Sequence, residues 1–284
     1  MDLRKNPLGV YEKALPNRFT WEEKCFAAKQ AGYDFIEMSV DESDLRLSRL
    51  EEIETLTNTL TPLLKKYNLS IRSLCLSAHR RFPFGSADPL KRARAYDIMQ
   101  KAIKLADALN IRNIQLAGYD VYYEDSTETS KTFFLNGLID AAKLAERHNI
   151  MLSLEVMDTP FMGTIERAMR YVEQVSSPYL KVYPDLGNLT QFSQHPEQEL
   201  TNHIAHVVAI HLKDTQKTVF KEVPFGEGTV NFVSLFKTLQ SLNYQGPFLV
   251  EMWANNQLNE TLEDVVSRLK AARLWLFERM MSHA

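Results

Sequence analysis

Eight short runs rich in β-branched and aromatic residues recur along the chain: "LGVY", "FIEMSV", "IRSLCLSA", "NIQLAGYD", "MLSLEVM", "LKVYPDLG", "HVVAIHLKD" and "PFLVEMW". Each is followed by a segment with helical periodicity, and this alternation restricts the fold more than any other feature. The helices stand out on their own terms. "LKRARAYDIMQKAIKLADALN" and "KTFFLNGLIDAAKLAERHN" place apolar residues at i, i+3, i+4 and i+7 and both end on Asn. Strand, helix, strand with right-handed crossovers means a parallel sheet. Eight such units in 284 residues predict an α/β chain closed into a (β/α)8 TIM barrel, a fold of typically about 250 residues. The main alternative is an open doubly wound sheet, but "LGVYEKALP" after the first strand lacks the three-glycine phosphate fingerprint. No Gly/Ser linker, low-complexity tract or charge block interrupts the chain, so residues 1–284 are expected to form one domain.

Charge excludes some function classes. Thirty-three basic residues against thirty-six acidic ones leave a net charge of -3, with no general attraction to nucleic acid or anionic lipid. "MDLRKNPLGV" has no apolar signal core, and no apolar run approaches the ~20 residues needed to cross a bilayer, so a cytoplasmic protein is expected. Cys25 and Cys75 fall on a helix and a buried strand, where they read as small apolar side chains rather than a disulfide.

In such a barrel, chemistry is assembled where the strands end. "LSLEVMDTP" is built like a buried strand yet carries Glu155 in its middle and Asp158 at its exit. Asp185 ends the sixth strand, His211 the seventh and Glu251 the eighth. Singly, a strand-end carboxylate caps a helix and a strand histidine is a hydrogen-bonded core residue. Together, three buried carboxylates without a cation would repel one another and lose their hydration, whereas a divalent metal neutralises the cluster. Three carboxylates and one imidazole suit one Mn²⁺, Co²⁺, Mg²⁺ or Zn²⁺ ion, with positions left open for substrate oxygens.

At these residues the sequence resembles the L-ribulose/L-xylulose 5-phosphate 3-epimerase family of L-ascorbate and related pentose catabolism, itself similar to the xylose isomerase-like TIM barrels. The stretches that carry the resemblance are "PLGVYEKALP", "FIEMSVDESDLRLSRL", "CLSAHRRFPFGS", "IQLAGYDVYY", "PDLGNLT", "HLKDT", "VPFGEGTVNF" and "VEMW", which together span nearly the whole chain. The resemblance implies metal ligands at Glu155, Asp185, His211 and Glu251, and a pentulose 5-phosphate as substrate. It also implies a homodimer, as related barrels commonly are.

The implied chemistry is removal of the C3 proton, which lies α to the C2 carbonyl, through a metal-stabilised cis-enediolate. Inversion needs an acid/base group on each face of C3, and Glu155 and Glu251 are the candidates, the entering epimer deciding which of them acts as base. A phosphate site is expected at "SAHRRFP", through His79, Arg80 and Arg81, with Lys213 as a second candidate. Lys217 and Lys221 are weaker ones, because loop lysines are commonly only solvated. Asn188 is expected to bind a substrate hydroxyl, Tyr119, Tyr122 and Tyr123 to wall the pocket, and Asn231 to cap a helix after the turn "PFGEG".

Three rivals remain. A metal-dependent endonuclease on the same barrel would need more histidine ligands and a basic surface. A non-catalytic sugar-phosphate sensor would not need all four ligands. An aldose-ketose isomerase shares the enediolate logic and is separated from an epimerase only by the resemblance.

Overall fold

The computed structural model describes residues 2–281. Its strands, in chain order, are β1 (Leu8–Tyr11), β2 (Phe35–Val40), β3 (Ser70–Leu76), β4 (Asn113–Leu116), β5 (Met151–Glu155), β6 (Leu180–Tyr183), β7 (Ile210–Leu212), β8 (Asp214–Gln216), β9 (Val219–Val223) and β10 (Phe248–Val250). The helices are α1 (Trp21–Gln30), α2 (Asp44–Leu47), α3 (Ile53–Tyr67), α4 (Pro89–Ala108), α5 (Glu128–Arg147), α6 (Ile165–Val175), α7 (Leu186–Phe192), α8 (Pro196–His203), α9 (Phe232–Ser241) and α10 (Leu262–Met281).

Eight strands form one sheet in the order β6-β5-β4-β3-β2-β1-β10-β7, every neighbouring pair parallel. Isolated parallel bridges, Val182 to Val207 and Asp185 to His211, join β6 to the β7 segment and close the ring. This is the expected barrel. Its interior holds a small apolar cluster of Tyr11, Phe35, Cys75 and Leu249, while the larger core lies between the sheet and the surrounding helices. Gly9 is required here, because a Cβ at that position would overlap the Phe35 ring. Both cysteines are free and buried. No helix among the described residues is long and apolar enough to cross a membrane.

Local chemistry sets the element boundaries. Thr20 and Glu23 form a capping box on α1, Asp88 caps α4 ahead of Pro89, and Thr127 with Ser130 caps α5. The last of these starts α5 three residues before the apolar periodicity that begins at Lys131. Asn110 and Asn149 follow α4 and α5 with φ of 56° and 52°, the left-handed geometry that asparagine tolerates. Asn231 caps α9, accepting from the Ser234 amide at 3.1 Å.

Six strands are shorter than the runs quoted for them, three of them with a local cause. β3 stops at Leu76 and the chain turns at once through a 3-10 helix, Ser77–Arg80. β6 stops before Pro184, which has no N–H to give a ladder. The seventh run is preceded by a 3-10 turn over Ile204–His206 and contributes only Ile210–Leu212. The segment after it, read as a loop from the sequence, pairs as the antiparallel hairpin β8-β9, with Thr218 and Glu222 at positive φ.

Candidate metal centre and active site

Four strand ends deliver the principal cluster. Glu155 is the last residue of β5, Asp185 follows β6 and caps α7, His211 lies in β7, and Glu251 comes directly after β10. One donor atom from each lies within 4.8 Å of every other. That spread matches four donors each about 2.0–2.4 Å from a single divalent ion. Asp185 is fully buried, His211 is 1% exposed, and the Glu251 side chain keeps only 10%.

The cluster is short of compensating hydrogen bonds. His211 Nδ1 stands 3.2 Å from Glu155 Oε1, 3.3 Å from Glu251 Oε2 and 4.0 Å from Asp185 Oδ2. Asp185 uses Oδ1 to accept from the Asn188 amide at 2.8 Å, which leaves Oδ2 for the cleft. Among the described residues neither Asp185 Oδ2 nor Glu251 Oε2 has a hydrogen bond of normal geometry, although the Lys213 ammonium lies 2.8 and 3.3 Å from them. Buried carboxylate oxygens of this kind, aimed at a common point, fit a hard divalent cation.

Electrostatics separates the two glutamates. Burial pushes the Glu155 carboxyl above its ordinary range against the pull of His211. Burial also works to raise Glu251, but the Lys213 ammonium and then His211 hold it well below the usual range. Burial and the Glu251 charge raise Asp185, with Lys213 opposing. Burial alone would lower His211, yet Glu37, Glu155 and Glu251 carry it well above an ordinary imidazole.

Beside the cluster the cleft is lined by Tyr11, Lys13, Arg80, Asp158, Asn188, Lys221 and Trp253, among others. Arg80 lies over the rings of Tyr119 and Tyr122, at 5.5 and 4.9 Å, and its buried Nε has no hydrogen-bond partner among the described residues. Tyr119 donates to Asp158 at 2.6 Å. Asn188 donates from Nδ2 to the Val156 carbonyl at 2.9 Å and keeps a buried Oδ1 with no hydrogen-bond partner among the described residues.

Not every residue singled out from the sequence reaches this cleft. The 3-10 turn after β3 aims the three basic side chains differently. His79 is buried with Nε2 3.2 Å from the Ala95 carbonyl and its ring against Phe84, on the helix side of the sheet. Arg81 points outward, pairs with Asp44 at 2.7 Å and leaves 47% of its side chain exposed. Arg80 alone enters. Lys213 is turned onto Asp185 and Glu251, and Lys221 reaches the cleft from the hairpin while Lys217 does not line it. Tyr123 is exposed and donates to Glu42. The two glycines of "PFGEG" serve a turn: Gly226 and Gly228 donate their amides to Asp214 Oδ2 at 2.8 and 3.1 Å.

Sequence reading passed over Glu37, Lys13 and Tyr11, and gave Asp158 no role. Glu37 had the same signal as Glu155, a carboxylate inside an apolar run. It is fully buried behind the cluster, with Oε1 3.0 Å from His211 Nε2.

Comparison with known proteins agrees with this geometry. Residues 25–272 match the family model described as xylose isomerase-like TIM barrel. The chain is 47% identical over 284 residues, covering 98% of each chain, to SgbU of Escherichia coli (strain K12), named as a candidate L-ribulose-5-phosphate 3-epimerase. It is 45% identical, covering 96% of this chain and 95% of the relative, to the L-ribulose-5-phosphate 3-epimerase UlaE of Shigella boydii serotype 18. Among solved structures, D-allulose 3-epimerase from Methylomonas sp., in complex with D-allulose, superposes with a TM-score of 0.76 at 19% identity, over 96% of this chain and 97% of that one, a likeness of fold. On this evidence the chain belongs to the L-ribulose-5-phosphate 3-epimerase family, carbohydrate isomerases of the xylose isomerase-like TIM barrel class.

Proposed function

We propose that the chain interconverts L-ribulose 5-phosphate and L-xylulose 5-phosphate by removing and returning the C3 proton, a step in L-ascorbate and pentose catabolism. One observation carries the reading: four donors from four strand ends converge within 4.8 Å at the C-terminal rim of the barrel. Glu155, Asp185, His211 and Glu251 would hold a divalent cation, which would supply Lewis-acid stabilisation of the negative charge that develops as the C3 proton leaves.

The remaining work falls to side chains. Glu155 and Glu251 come from strands three places apart around the ring, so they can flank C3 from opposite faces. Epimerisation needs one acid and one base at a time, and this pair supplies both. Asp185 and His211 act as ligands. Asn188 Oδ1, buried and unpaired, accepts from a substrate hydroxyl. Lys213 contacts a substrate oxygen beside the carboxylates.

For the phosphate we assign Arg80, whose Nε is unpaired, with Lys221 beside it. Burial and then the Arg80 charge lower the Lys221 ammonium below the usual lysine range, as expected of two cations awaiting one anion. His79 and Arg81 lie outside this assignment.

The test is incubation of the metal-loaded protein with L-ribulose 5-phosphate in D₂O, followed by NMR, with Glu155→Gln alongside. Deuterium at C3 and formation of L-xylulose 5-phosphate, both lost in the variant, are expected. Deuterium at C1 with an aldose product would instead identify an aldose-ketose isomerase, and absence of any carbon-bound exchange would overturn the reading.

A further inference from the structure

Glu37 is a fully buried carboxylate with no lysine or arginine among the described residues in hydrogen-bond or ion-pair contact with it. Such a group is costly to desolvate and is tolerated where every oxygen is satisfied. Its partners are few and specific. Oε2 accepts from the hydroxyls of Ser73 and Tyr183, the latter at 3.1 Å, and Oε1 lies 3.0 Å from His211 Nε2. Glu37 does not line the cleft, so it cannot touch a substrate there. It reaches His211 from inside β2, three places around the ring from β7. The opposite ring nitrogen, Nδ1, faces Glu155, Glu251 and Asp185.

We infer that Glu37 is the positioning residue of the metal centre, holding the proton on His211 Nε2 and the ring plane fixed so that Nδ1 is presented as the ligand. This rests on the metal-centre reading above and adds a residue to it. A carboxylate acceptor behind a ligating imidazole selects the tautomer, orients the ring and raises its basicity. Tyr183 and Ser73 fix Glu37 in turn. Tyr183 also packs edge-on against the His211 ring, with centroids 4.5 Å apart, so the ring is gripped on one face as well as at one nitrogen.

Zn²⁺ alone is the probe. In the zinc-loaded wild-type protein, ¹⁵N NMR of histidine-labelled material should show His211 with its proton on Nε2 and Nδ1 metal-bound, and a proton on Nδ1 would overturn the proposal without any variant. By chelator competition, Glu37→Leu should bind Zn²⁺ about 100-fold more weakly. Glu37→Gln keeps a neutral acceptor and should restore affinity to within about 10-fold of wild type. Circular dichroism establishes that each variant is folded. A folded Glu37→Leu with wild-type affinity overturns the proposal. If that variant does not fold, the tautomer and Glu37→Gln decide it. A wild-type protein that takes up no Zn²⁺ overturns the metal-centre reading and this inference with it, whereas weakening confined to the variants tests the role of Glu37 alone.

Discussion

Replacing Glu12 by glutamine should be among the most destabilising single changes in the molecule, although the two side chains have nearly the same shape. Glu12 is fully buried in the turn after β1 and faces three cations. Lys24 lies at 2.8 Å, Arg46 at 2.9 Å, and Arg49 binds in a fork at 2.7 and 2.8 Å, while the Ser39 amide donates at 3.0 Å. The cations are themselves enclosed, with side chains 5%, 6% and 15% exposed. Removing one partner of a buried pair costs about 3–5 kcal/mol, and here the change leaves three charges facing one another. With an unfolding entropy of about 2.1 cal/mol/K per residue over 284 residues, that is a fall in Tm of about 5–8 °C. The sign with pH follows from the same contacts. The cations, Arg49 first, hold the Glu12 carboxyl well below its ordinary range against the cost of burial. Its contribution is therefore complete above the unfolded-state value of 4.5 and is lost as pH falls toward the folded one. Thermal unfolding of both proteins at pH 7 and at steps down to pH 3 checks this. A loss under about 2 °C at pH 7, or a gap that fails to narrow in acid, would refute the argument. Because Glu12 sits between Tyr11 and Lys13, which line the cleft, the variant should also bind the sugar phosphate more weakly.

The buried His79 has a pH signature of the same sign but at higher pH and from burial rather than ion pairing: burial lowers its imidazole from 6.5 to about 4, so the fold should lose about 3 kcal/mol as pH drops between those values, and His79→Met, compared by urea unfolding, should remove that component. Arg80→Ala should raise KM for the sugar phosphate by about 10- to 100-fold, the worth of one charge-assisted contact, and leave turnover of the unphosphorylated ketose nearly unchanged. Equal losses on both substrates would place the phosphate elsewhere. Gly228→Ala should lower Tm measurably, since its Cβ would overlap the Asp214 carboxylate that gathers the amides of Gly226, Gly228 and Val230, and a variant as stable as wild type would show that the turn tolerates another path.

The barrel and the four converging side chains were legible for one reason. Each of Glu155, Asp185, His211 and Glu251 interrupts or ends an apolar run, and strand ends of a parallel barrel share one rim. Local periodicity and a topological rule together sufficed. Direction was not legible at "SAHRRFP". Which of three adjacent basic residues faces the cleft depends on β3 ending at Leu76 and on a 3-10 turn that rotates successive side chains by about a third of a circle. Glu37 was missed although it breaks its strand as Glu155 does, because it lies before the strand exit, and only the fold shows it behind His211. The hairpin β8-β9 was hidden because β8 is polar, with Asp214 and Thr215 buried, and β9 is largely exposed, so neither strand carries an apolar alternation to read.

Where the ring is joined has its own consequence. Seven of the eight junctions are ladders of three or more paired residues, but β6 meets the β7 segment only through two separate bridges, with Val208 donating to Val182 at 3.0 Å and His211 to Pro184 at 2.9 Å. Pro184 cannot donate in return. The second bridge joins Asp185 to His211, two of the four converging residues. The barrel is thus a hoop with one weak joint, and whatever grips those two side chains together also rivets it. Occupation of the centre would be felt along the wall as well as in the cleft, as slower hydrogen exchange at the amides of Val208 and His211, and an empty centre would leave the hoop free to part at this joint first.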